Sequence, residues 1–494
     1  MEKIIQASFK VPPLGRFVAY GTAGFRTLAS DLHQVFFRSG LIALLRAFET
    51  EKFVGIMVTA SHNHIRDNGL KMVDFNGEMM PIAWEKVAED LVNASDLRAE
   101  LEKLWPKDRK ITGKVLIGAD NRPSSRELVD CIKLAISSAE CEFHDYGVIT
   151  TPQLHFLVNE SNREGSVAGI EVYVEGLRSK AGRLFEEFKG GERYERALQL
   201  DCAGGVGMSV MKELGFDWVQ LVNLDPGQLN HDCGAEFAHK DRRLPLGMQL
   251  NLKSASFDGD ADRLVYYYSA EQLNVLGGER LTVLYATALN RLLSKTSSEA
   301  KITVVTTGYS NSASIAYLES QGIRSIIVAT GVKYLHQEAH NHDISIYFES
   351  NGHGTILHKG EVVRGLDPVV QSFLQLANST VGDAVADLLL AEVSLRILDW
   401  NLNDWLGIYE DLPNIMVAVR SQKKDLIKNS LDQLEVLEPA ELVIGIKGIV
   451  QEYASFNART LVRPSGTEPI VRIYVESTSL SICQEISQKI SNLL

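Results

Sequence analysis

"KVLIGADNRPSSRELVDCIKLAI", residues 114–136, opens on a short apolar run, breaks at a polar loop, and resumes with apolar residues at helical spacing from Leu128 to Ile136. The run predicts a strand over 114–118 and the resumed pattern an amphipathic helix. The same order of events recurs twice. "ALQLDCAGGVGMSVMKELGF" (197–216) reads as a strand over 197–200, a Gly-rich turn and a helix, and "ITVVTTGYSNSASIAYLESQGI" (302–323) as strand, turn and helix. Such alternation predicts α/β units with mainly parallel strands. In open sheets of this kind ligands bind beyond the carboxyl ends of the strands. Further along, "NIMVAVR", "ELVIGIKGIV", "ARTLVRPSG" and "IVRIYVES" read as strands between long helical stretches. They predict a smaller α+β domain from about residue 395 to the end.

At 494 residues the chain has room for about three or four domains, and 45% hydrophobic residues supply ordinary packed cores. The net charge of −13 argues against general nucleic-acid binding, which needs a basic footprint. It leaves open an anionic substrate held by a local cluster of Arg and Lys. Five scattered cysteines form no C-x-x-C pair, which predicts reduced thiols in a cytosolic protein. The start "MEKIIQASFKVPP" lacks a signal-peptide pattern and no apolar run approaches membrane-spanning length, so a cytoplasmic location and no membrane partner are expected. In that compartment the sequons at Asn93, Asn159 and Asn378 carry no meaning.

Four segments carry chemistry. "IMVTASHNHIRDNGLKM" (56–72) ends an apolar strand in Thr59, Ser61, His62 and Asn63, then reaches the cation Lys71. A serine beside a histidine suggests a nucleophile, although G-x-S-x-G is absent and a plain turn accounts for such a pair equally well. "FDGDADRL" (257–264) places carboxylates at 258, 260 and 262. Alternation along an extended segment would converge them on one side, and three hard oxygen ligands suit Mg²⁺ or Ca²⁺. The EF-hand register fails, with Arg263 where Gly is needed and Ser269 where Glu is needed. In "RPSGTEPIVRIYVE" (463–476), Arg463, Ser465, Gly466 and Thr467 could cradle a phosphate with N–H groups and hydroxyls, and Arg472 adds a planar fork. "ESNGHG" (349–354) combines a carboxylate, an amide and an imidazole around glycine, a set suited to reading sugar hydroxyls. With the strand before it, as "ISIYFESNGHG" (344–354), it repeats the shape of "VGIMVTASHNH" (54–64), hinting at an internal repeat. "HQEAH" (336–340) matches neither zinc-protease spacing, and "DCAGGVG" lacks the dinucleotide and P-loop registers.

Taken in order, "TASHN", "DGDADR", "ESNGHG" and "RPSGTEP" resemble the four signature loops of the α-D-phosphohexomutases, one per domain. "YGTAGFR" (20–26), "DNGLKMVD" (67–74), "TPQLH" (151–155) and "ATGVKYLH" (329–336) bring the resemblance closest to the eukaryotic phosphoacetylglucosamine mutases. The usual Pro after Ser-His-Asn in phosphoglucomutases and phosphomannomutases is missing; Ser350 and Gly204 stand where the resemblance leads one to expect Ala and Asn. The resemblance implies an α/β fold of four domains around a central cleft, three of them similar mixed-sheet α/β domains and the last a smaller C-terminal α+β domain. They would span 1–165 with the serine loop, 166–275 with the metal loop, 276–392 with the sugar loop and 393–494 with the phosphate loop.

The implied activity is interconversion of N-acetylglucosamine 6-phosphate and N-acetylglucosamine 1-phosphate on the route to UDP-N-acetylglucosamine. Ser61 would be the phosphorylated nucleophile, and one Mg²⁺ would be held by Asp258, Asp260, Asp262 and the phosphoserine. Arg26 and Lys71 would be cations near the phosphoryl group, with Arg263 beside the metal; either His62 or Lys71 would serve as general acid or base. The sugar would meet Glu349, Asn351, His353, Thr330 and Gly331, and its distal phosphate Arg463, Ser465, Gly466, Thr467 and Arg472. A sugar 1,6-bisphosphate would be intermediate and activator, and would turn over within the site before the second transfer. The runner-up is a phosphoglucomutase or phosphomannomutase, separated by room beside C2 for an N-acetyl group. A silent sugar-phosphate-binding relative would be expected to lack Ser61 or an aspartate, and all are present. A metal-dependent phosphatase would arise if phosphoserine leaked to water. Oligomeric state is left open.

Overall fold

The computed structural model describes residues 1–21, 24–106, 114–269, 273–465 and 469–494. They fall into two compact units, 1–278 with 351–355 and 371–399, and 279–350 with 356–370 and 400–494. The first unit contains two five-stranded sheets. Strands β1 (Gly24–Leu28), β2 (Phe53–Val58), β3 (Asp67–Val73), β4 (Lys114–Ala119) and β5 (Glu142–Val148) lie in the order β1-β3-β2-β4-β5. Side chains alternate across this sheet, as the pleat requires. Val54, Ile56, Val58, Val115 and Ile117 join one core cluster with the helices His33–Thr50 and Ser125–Ser138. Met57 and Leu116 join another with Leu154, Leu157 and Val158 of the helix Thr151–Glu164. Burial on both faces accounts for the continuous apolar run in β2. The helix expected over 128–136 is present and extends to Ser125–Ser138.

The second sheet runs β10-β9-β8-β6-β7, from β6 (Leu198–Asp201), β7 (Val219–Val222), β8 (Ser254–Phe257), β9 (Leu264–Ser269) and β10 (Leu273–Leu276). The helix Ala384–Leu398 packs against β9 and the helix Glu171–Glu187. It brings Glu392 into the core, where Lys253 pairs with it at 2.7 Å and the Tyr266 hydroxyl donates to it at 2.8 Å. A buried carboxylate needs such partners.

The second unit holds β11 (Ile302–Thr307), β12 (Arg324–Val328), β13 (Ile344–Phe348) and, from Ile356 on, β14 (Gly354–His358), in the order β12-β11-β13-β14. It also holds β15 (Asn414–Arg420), a short hairpin of β16 (Lys428–Asn429) and β17 (Val436–Glu438), then β18 (Arg459–Pro464) and β19 (Ile470–Glu476), with β15-β19-β18 fully antiparallel.

The sheets of the α/β domains are mixed, as the resemblance implied, with parallel pairings in the majority: β2–β4, β4–β5, β6–β7, β6–β8, β11–β12 and β11–β13 are parallel, while β1–β3, β2–β3, β8–β9 and β9–β10 are antiparallel. One expectation is corrected. "ELVIGIKGIV" is not a strand but part of the helix Ala440–Glu452. Leu442, Ile446 and Ile449 recur at helical spacing and pack on the C-terminal core, while Ile444 faces solvent. Local β propensity loses here to the burial of one helical face. No helix among the described residues is long and apolar enough to cross a membrane.

Each of the four signature segments joins two consecutive strands that neighbour each other in their sheet: β2–β3, β8–β9, β13–β14 and β18–β19. The chemistry-bearing residues therefore sit where chain reversal exposes side chains and backbone N–H groups.

Candidate functional site

The first unit gathers Ser61, the three aspartates and most of the predicted cations. Ser61 follows the buried β2 and is itself buried, in a left-handed conformation with φ 52°. Non-glycine residues seldom adopt this conformation, and then mostly where surrounding contacts enforce it. The Ser61 N–H donates to Thr59 Oγ1 at 2.9 Å, and the Ser61 hydroxyl donates to Asp258 Oδ2 at 2.6 Å. The His62 Nδ1 lies 3.4 Å from that hydroxyl.

The metal loop approaches closely because residue 259 is glycine. A Cβ there would stand 2.7 Å from the Ser61 carbonyl oxygen. Asp258, Asp260 and Asp262 bring carboxylate oxygens within 4.8 Å of one another. They converge through a turn and not, as expected, by alternation along a strand. Ala261 is left-handed at φ 59°, and the N–H groups of Asp262 and Arg263 donate to Asp258 Oδ1 at 3.1 and 3.3 Å.

The carboxylate oxygens are divided between two uses. Lys71 Nζ donates to Asp260 Oδ2 at 2.6 Å and to Asp262 Oδ2 at 2.5 Å, and the Thr151 hydroxyl donates to Asp260 Oδ2 at 2.6 Å. Asp260 Oδ1 and Asp262 Oδ1 are buried with no hydrogen-bond partner among the described residues. Two orphaned anionic oxygens beside a third carboxylate are a hard donor set that fits a divalent cation such as Mg²⁺.

Burial and the neighbouring Asp262 and Asp260 charges raise the pKa of Asp258 well above the carboxylate range. At Asp262 burial acts upward, but Lys71, His353 and Arg263 outweigh it and hold the carboxyl low. Burial pulls Lys71 down, yet Asp260 and Asp262 raise it overall, the reverse of the lowered value a lysine general base needs. Burial, with Arg263 and Arg26 adding to it, drops the His62 imidazole to about 3. Arg26 donates to Asn63 Oδ1 at 3.1 Å, and burial and the nearby Arg263 lower its pKa. Two crowded cations beside the serine are relieved by an anion. Arg263 donates to Glu236 at 3.1 Å and lies 3.8 Å from Asp258.

His353 and Asn351 also belong to the first unit. His353 Nδ1 donates to the Asp262 carbonyl at 2.8 Å, tying the predicted sugar loop to the metal loop, and its N–H donates to Asn351 Oδ1 at 3.0 Å. Gly352, at φ 86°, permits this: a Cβ there would stand 1.8 Å from the Leu264 carbonyl oxygen.

Thr330, Gly331, Glu349, Arg463, Ser465 and Arg472 lie in the second unit. Arg463 and Arg472 are directly opposite across β18–β19, which puts two planar forks side by side. Arg463 donates to the Tyr309 hydroxyl at 3.3 Å and to Gln433 Oε1 at 3.4 Å; the Thr330 N–H donates to the same oxygen at 3.2 Å. The Ser465 N–H closes the loop on the Ile470 carbonyl at 2.9 Å. Gly331, at φ 133°, precedes the helix Val332–Ala339. Gly466 and Thr467 lie outside the described residues. Sequence reasoning missed Asp120, Arg122, Thr151, Tyr309, Gln433 and Asn230, whose amide donates to the Ser61 carbonyl at 2.8 Å. Only Asp120, Arg122 and Thr151 carried a signal, being polar residues just beyond strand ends, in "ADNRPSS" and "TPQLH".

Family models place the chain in a class. "Phosphoglucomutase/phosphomannomutase, alpha/beta/alpha domain I" matches residues 43–99 and 97–174, and "Phosphoglucomutase/phosphomannomutase, C-terminal domain" matches 416–493. Within that class, "Phosphoacetylglucosamine mutase AMG1, domain III" matches 277–400. The human phosphoacetylglucosamine mutase is 36% identical over 514 residues, covering 97% of this chain and 94% of its own. The Aspergillus fumigatus N-acetylphosphoglucosamine mutase in complex with GlcNAc-6P and magnesium superposes with a TM-score of 0.91 at 32% identity, covering 99% of this chain and 98% of that one. A serine-to-alanine variant of the A. fumigatus enzyme in complex with glucose 1,6-bisphosphate superposes at 0.87 and 32%, covering 99% and 97%. The chain belongs to the phosphoacetylglucosamine mutase family of the α-D-phosphohexomutases.

Proposed function

We propose that this chain interconverts N-acetylglucosamine 6-phosphate and N-acetylglucosamine 1-phosphate, with Ser61 carrying the phosphoryl group, in UDP-N-acetylglucosamine biosynthesis. The observation that carries this is the Ser61 hydroxyl, left-handed and buried, bonded to one carboxylate of a triad whose other members keep orphaned oxygens. The human and A. fumigatus relatives, and the ligands named for the latter, support the sugar and the bisphosphate. Asp258, Asp260 and Asp262 would hold Mg²⁺ together with phosphorylated Ser61. When bound, the ion neutralises charge on the transferred phosphoryl oxygens.

The residues divide the remaining work. Arg26 and Arg263 position and neutralise the phosphoryl group, since phosphoryl transfer demands chiefly alignment and charge stabilisation. Lys71, kept cationic by two aspartates, holds Asp260 and Asp262 in place and adds positive charge. His62, neutral at physiological pH, is a second proton acceptor 3.4 Å from Ser61 Oγ, beside the Asp258 carboxyl that takes its hydrogen bond at 2.6 Å. Glu349, Asn351, Thr330 and Gly331 would read the sugar, and His353 fixes the loop that carries Asn351. Arg463, Ser465, Gly466, Thr467 and Arg472 take the distal phosphate. The bisphosphate turns over between two transfers at Ser61. Domains of 1–165, 166–275, 276–392 and 393–494 suit this division, because each of the four larger sheets falls inside one of them but for Leu276, the last residue of β10. We place the enzyme in the cytoplasm, in line with its scattered cysteines.

A coupled assay tests the reading. With Mg²⁺ and a trace of the matching bisphosphate, N-acetylglucosamine 6-phosphate should turn over faster than glucose 1-phosphate. Ser61→Ala should abolish turnover, leave the fold intact, and remove one phosphoryl mass from the intact protein. Near wild-type turnover in Ser61→Ala would rule out the phosphoserine route, and a preference for glucose 1-phosphate would make the chain a phosphoglucomutase.

A further inference from the structure

The Ser61 loop is held from beneath by a buried pair that takes no part in the chemistry described above. Arg122, whose side chain is fully shielded from solvent, pairs with Asp120 at 3.0 Å. Its two terminal nitrogens each reach two carbonyls of the loop. One donates to Ser61 O and Asn63 O, both at 2.9 Å; the other donates to His64 O at 2.7 Å and Asp67 O at 2.9 Å. Asp120 completes the hold on the other side of the serine. It accepts from the Thr59 hydroxyl at 2.8 Å, and Thr59 Oγ1 in turn accepts the Ser61 N–H at 2.9 Å. One ion pair thus restrains both the N–H and the carbonyl of a residue whose φ is 52°.

The arrangement is more than loop packing needs. A buried hairpin loop requires its carbonyls satisfied, which scattered waters or neighbouring amides can do. Here four carbonyls converge on one rigid, planar, always-charged fork, and the Asn230 amide is a second donor to two of them, Ser61 O at 2.8 Å and Asn63 O at 3.3 Å. The fork alone spans all four, and it holds the loop with the Ser61 hydroxyl pointed at Asp258. The fork in turn is locked by Asp120, which also accepts the Ser125 hydroxyl at 2.8 Å at the start of the helix Ser125–Ser138. The position of the serine is therefore referenced to the sheet through β4 and to a long helix, both rigid elements.

We infer that Asp120 and Arg122 are positioning residues for phosphoryl transfer: they hold Ser61 in its left-handed conformation so that its oxygen is in line with the group it gives and receives. The inference rests on the reading of Ser61 as the phosphoryl carrier. Among the described residues, neither has a hydrogen bond or ion pair with Asp258, Asp260 or Asp262; their side-chain partners are the serine loop, each other, Thr59 and Ser125. Their loss should therefore act on the chemical step and not on substrate binding.

The test compares Arg122→Met, Arg122→Lys, Arg122→Ala and Asp120→Asn with Ser61→Ala, measuring kcat, KM for N-acetylglucosamine 6-phosphate, Tm and the Mg²⁺ concentration for half-maximal rate. A misplacement of the nucleophile by about 1 Å costs about 100-fold in rate, so Arg122→Met should lose about that much in kcat with KM and the Mg²⁺ requirement little changed. Lysine offers three donors on a point charge in place of a five-donor fork, so Arg122→Lys should recover part of the loss. Methylguanidinium added to Arg122→Ala should restore activity. If Arg122→Met or Arg122→Ala does not fold, Arg122→Lys and Asp120→Asn decide through the same split between kcat and KM. Wild-type kcat per folded molecule in Arg122→Lys and Asp120→Asn would overturn the inference, as would a loss borne by KM. An active Ser61→Ala would instead overturn the carrier reading on which it rests.

Discussion

Ser61 shows how a single backbone angle is put to use. A serine hydroxyl is a poor nucleophile in water, and its activation depends on where it points and what accepts its proton. Here φ 52° turns Oγ onto Asp258, while His62, stripped of its charge by burial, stands 3.4 Å away. Arg472 gives the residue-scale prediction. It faces Arg463 across the β18–β19 pair, and a planar fork makes two charge-assisted bonds to a phosphate. Replacing it by alanine should cost on the order of 2–3 kcal/mol, or roughly 30- to 150-fold in kcat/KM. Both sugar phosphates should suffer alike, because each presents a distal phosphate. Arg472→Lys should recover only part, since an ammonium cannot copy the fork. Steady-state kinetics in both directions check this; wild-type kcat/KM in Arg472→Ala would remove the residue from the phosphate site.

Elements matter here chiefly through their junctions. The serine, metal, sugar and phosphate loops all bridge strands adjacent in a sheet. The C-terminal sheet adds a buried carboxylate at its far end. Glu476 on β19 accepts from the Ser312 N–H at 3.2 Å, Arg459 at 3.2 Å and the Tyr474 hydroxyl at 2.8 Å. Burial pushes its pKa up, but these donors outweigh burial and hold it below the usual glutamate value of 4.5. A carboxyl depressed on folding stabilises the native state above its unfolded pKa. That stability is lost as pH falls through the lower folded value. Glu476→Gln should thus cost about 1.5–3 kcal/mol near neutral pH, and the gap to wild type should close on acidification below about pH 4. Urea unfolding at both pH values measures it. A gap independent of pH would mean that the hydrogen-bond shape, not the charge, is what the sheet uses.

For the whole molecule, a net charge of −13 coexists with a site built from Arg26, Lys71 and Arg263, so local clustering decides what binds. The triad makes folding and metal binding one equilibrium. Three buried carboxylates repel one another, and Asp260 Oδ1 and Asp262 Oδ1 lack hydrogen-bond partners among the described residues. A cation that binds only the folded chain stabilises it by mass action, about 2.7 kcal/mol at 100 times its Kd. Mg²⁺ should therefore raise the urea midpoint of wild type, and Asp260→Asn should show a smaller rise and a higher Mg²⁺ requirement for activity. An unchanged rise and requirement in the variant would take Asp260 out of the metal site.

Sequence alone determined the α/β class, because runs such as Val115–Ala119 followed by apolar residues at helical spacing admit few other folds. It also marked Ser61, Asp258, Asp260, Asp262, Arg463 and Arg472 as candidates, because they cluster in short loops of unusual composition, where functional residues concentrate. Tertiary structure decided what local pattern does not encode. "ELVIGIKGIV" became a helix because the C-terminal core needed one apolar face there, not two. The aspartates converge through a turn around Asp258, and Lys71 arrives from another sheet to claim one oxygen from each of two of them. Asp120 and Arg122 were visible only as polar residues after a strand; that they hold the serine follows from the parallel pairing of β4 with β2. Contacts between residues about sixty apart in the chain depend on which strands pair and in which direction. That is settled by packing over the entire sheet and is written in no single stretch of sequence.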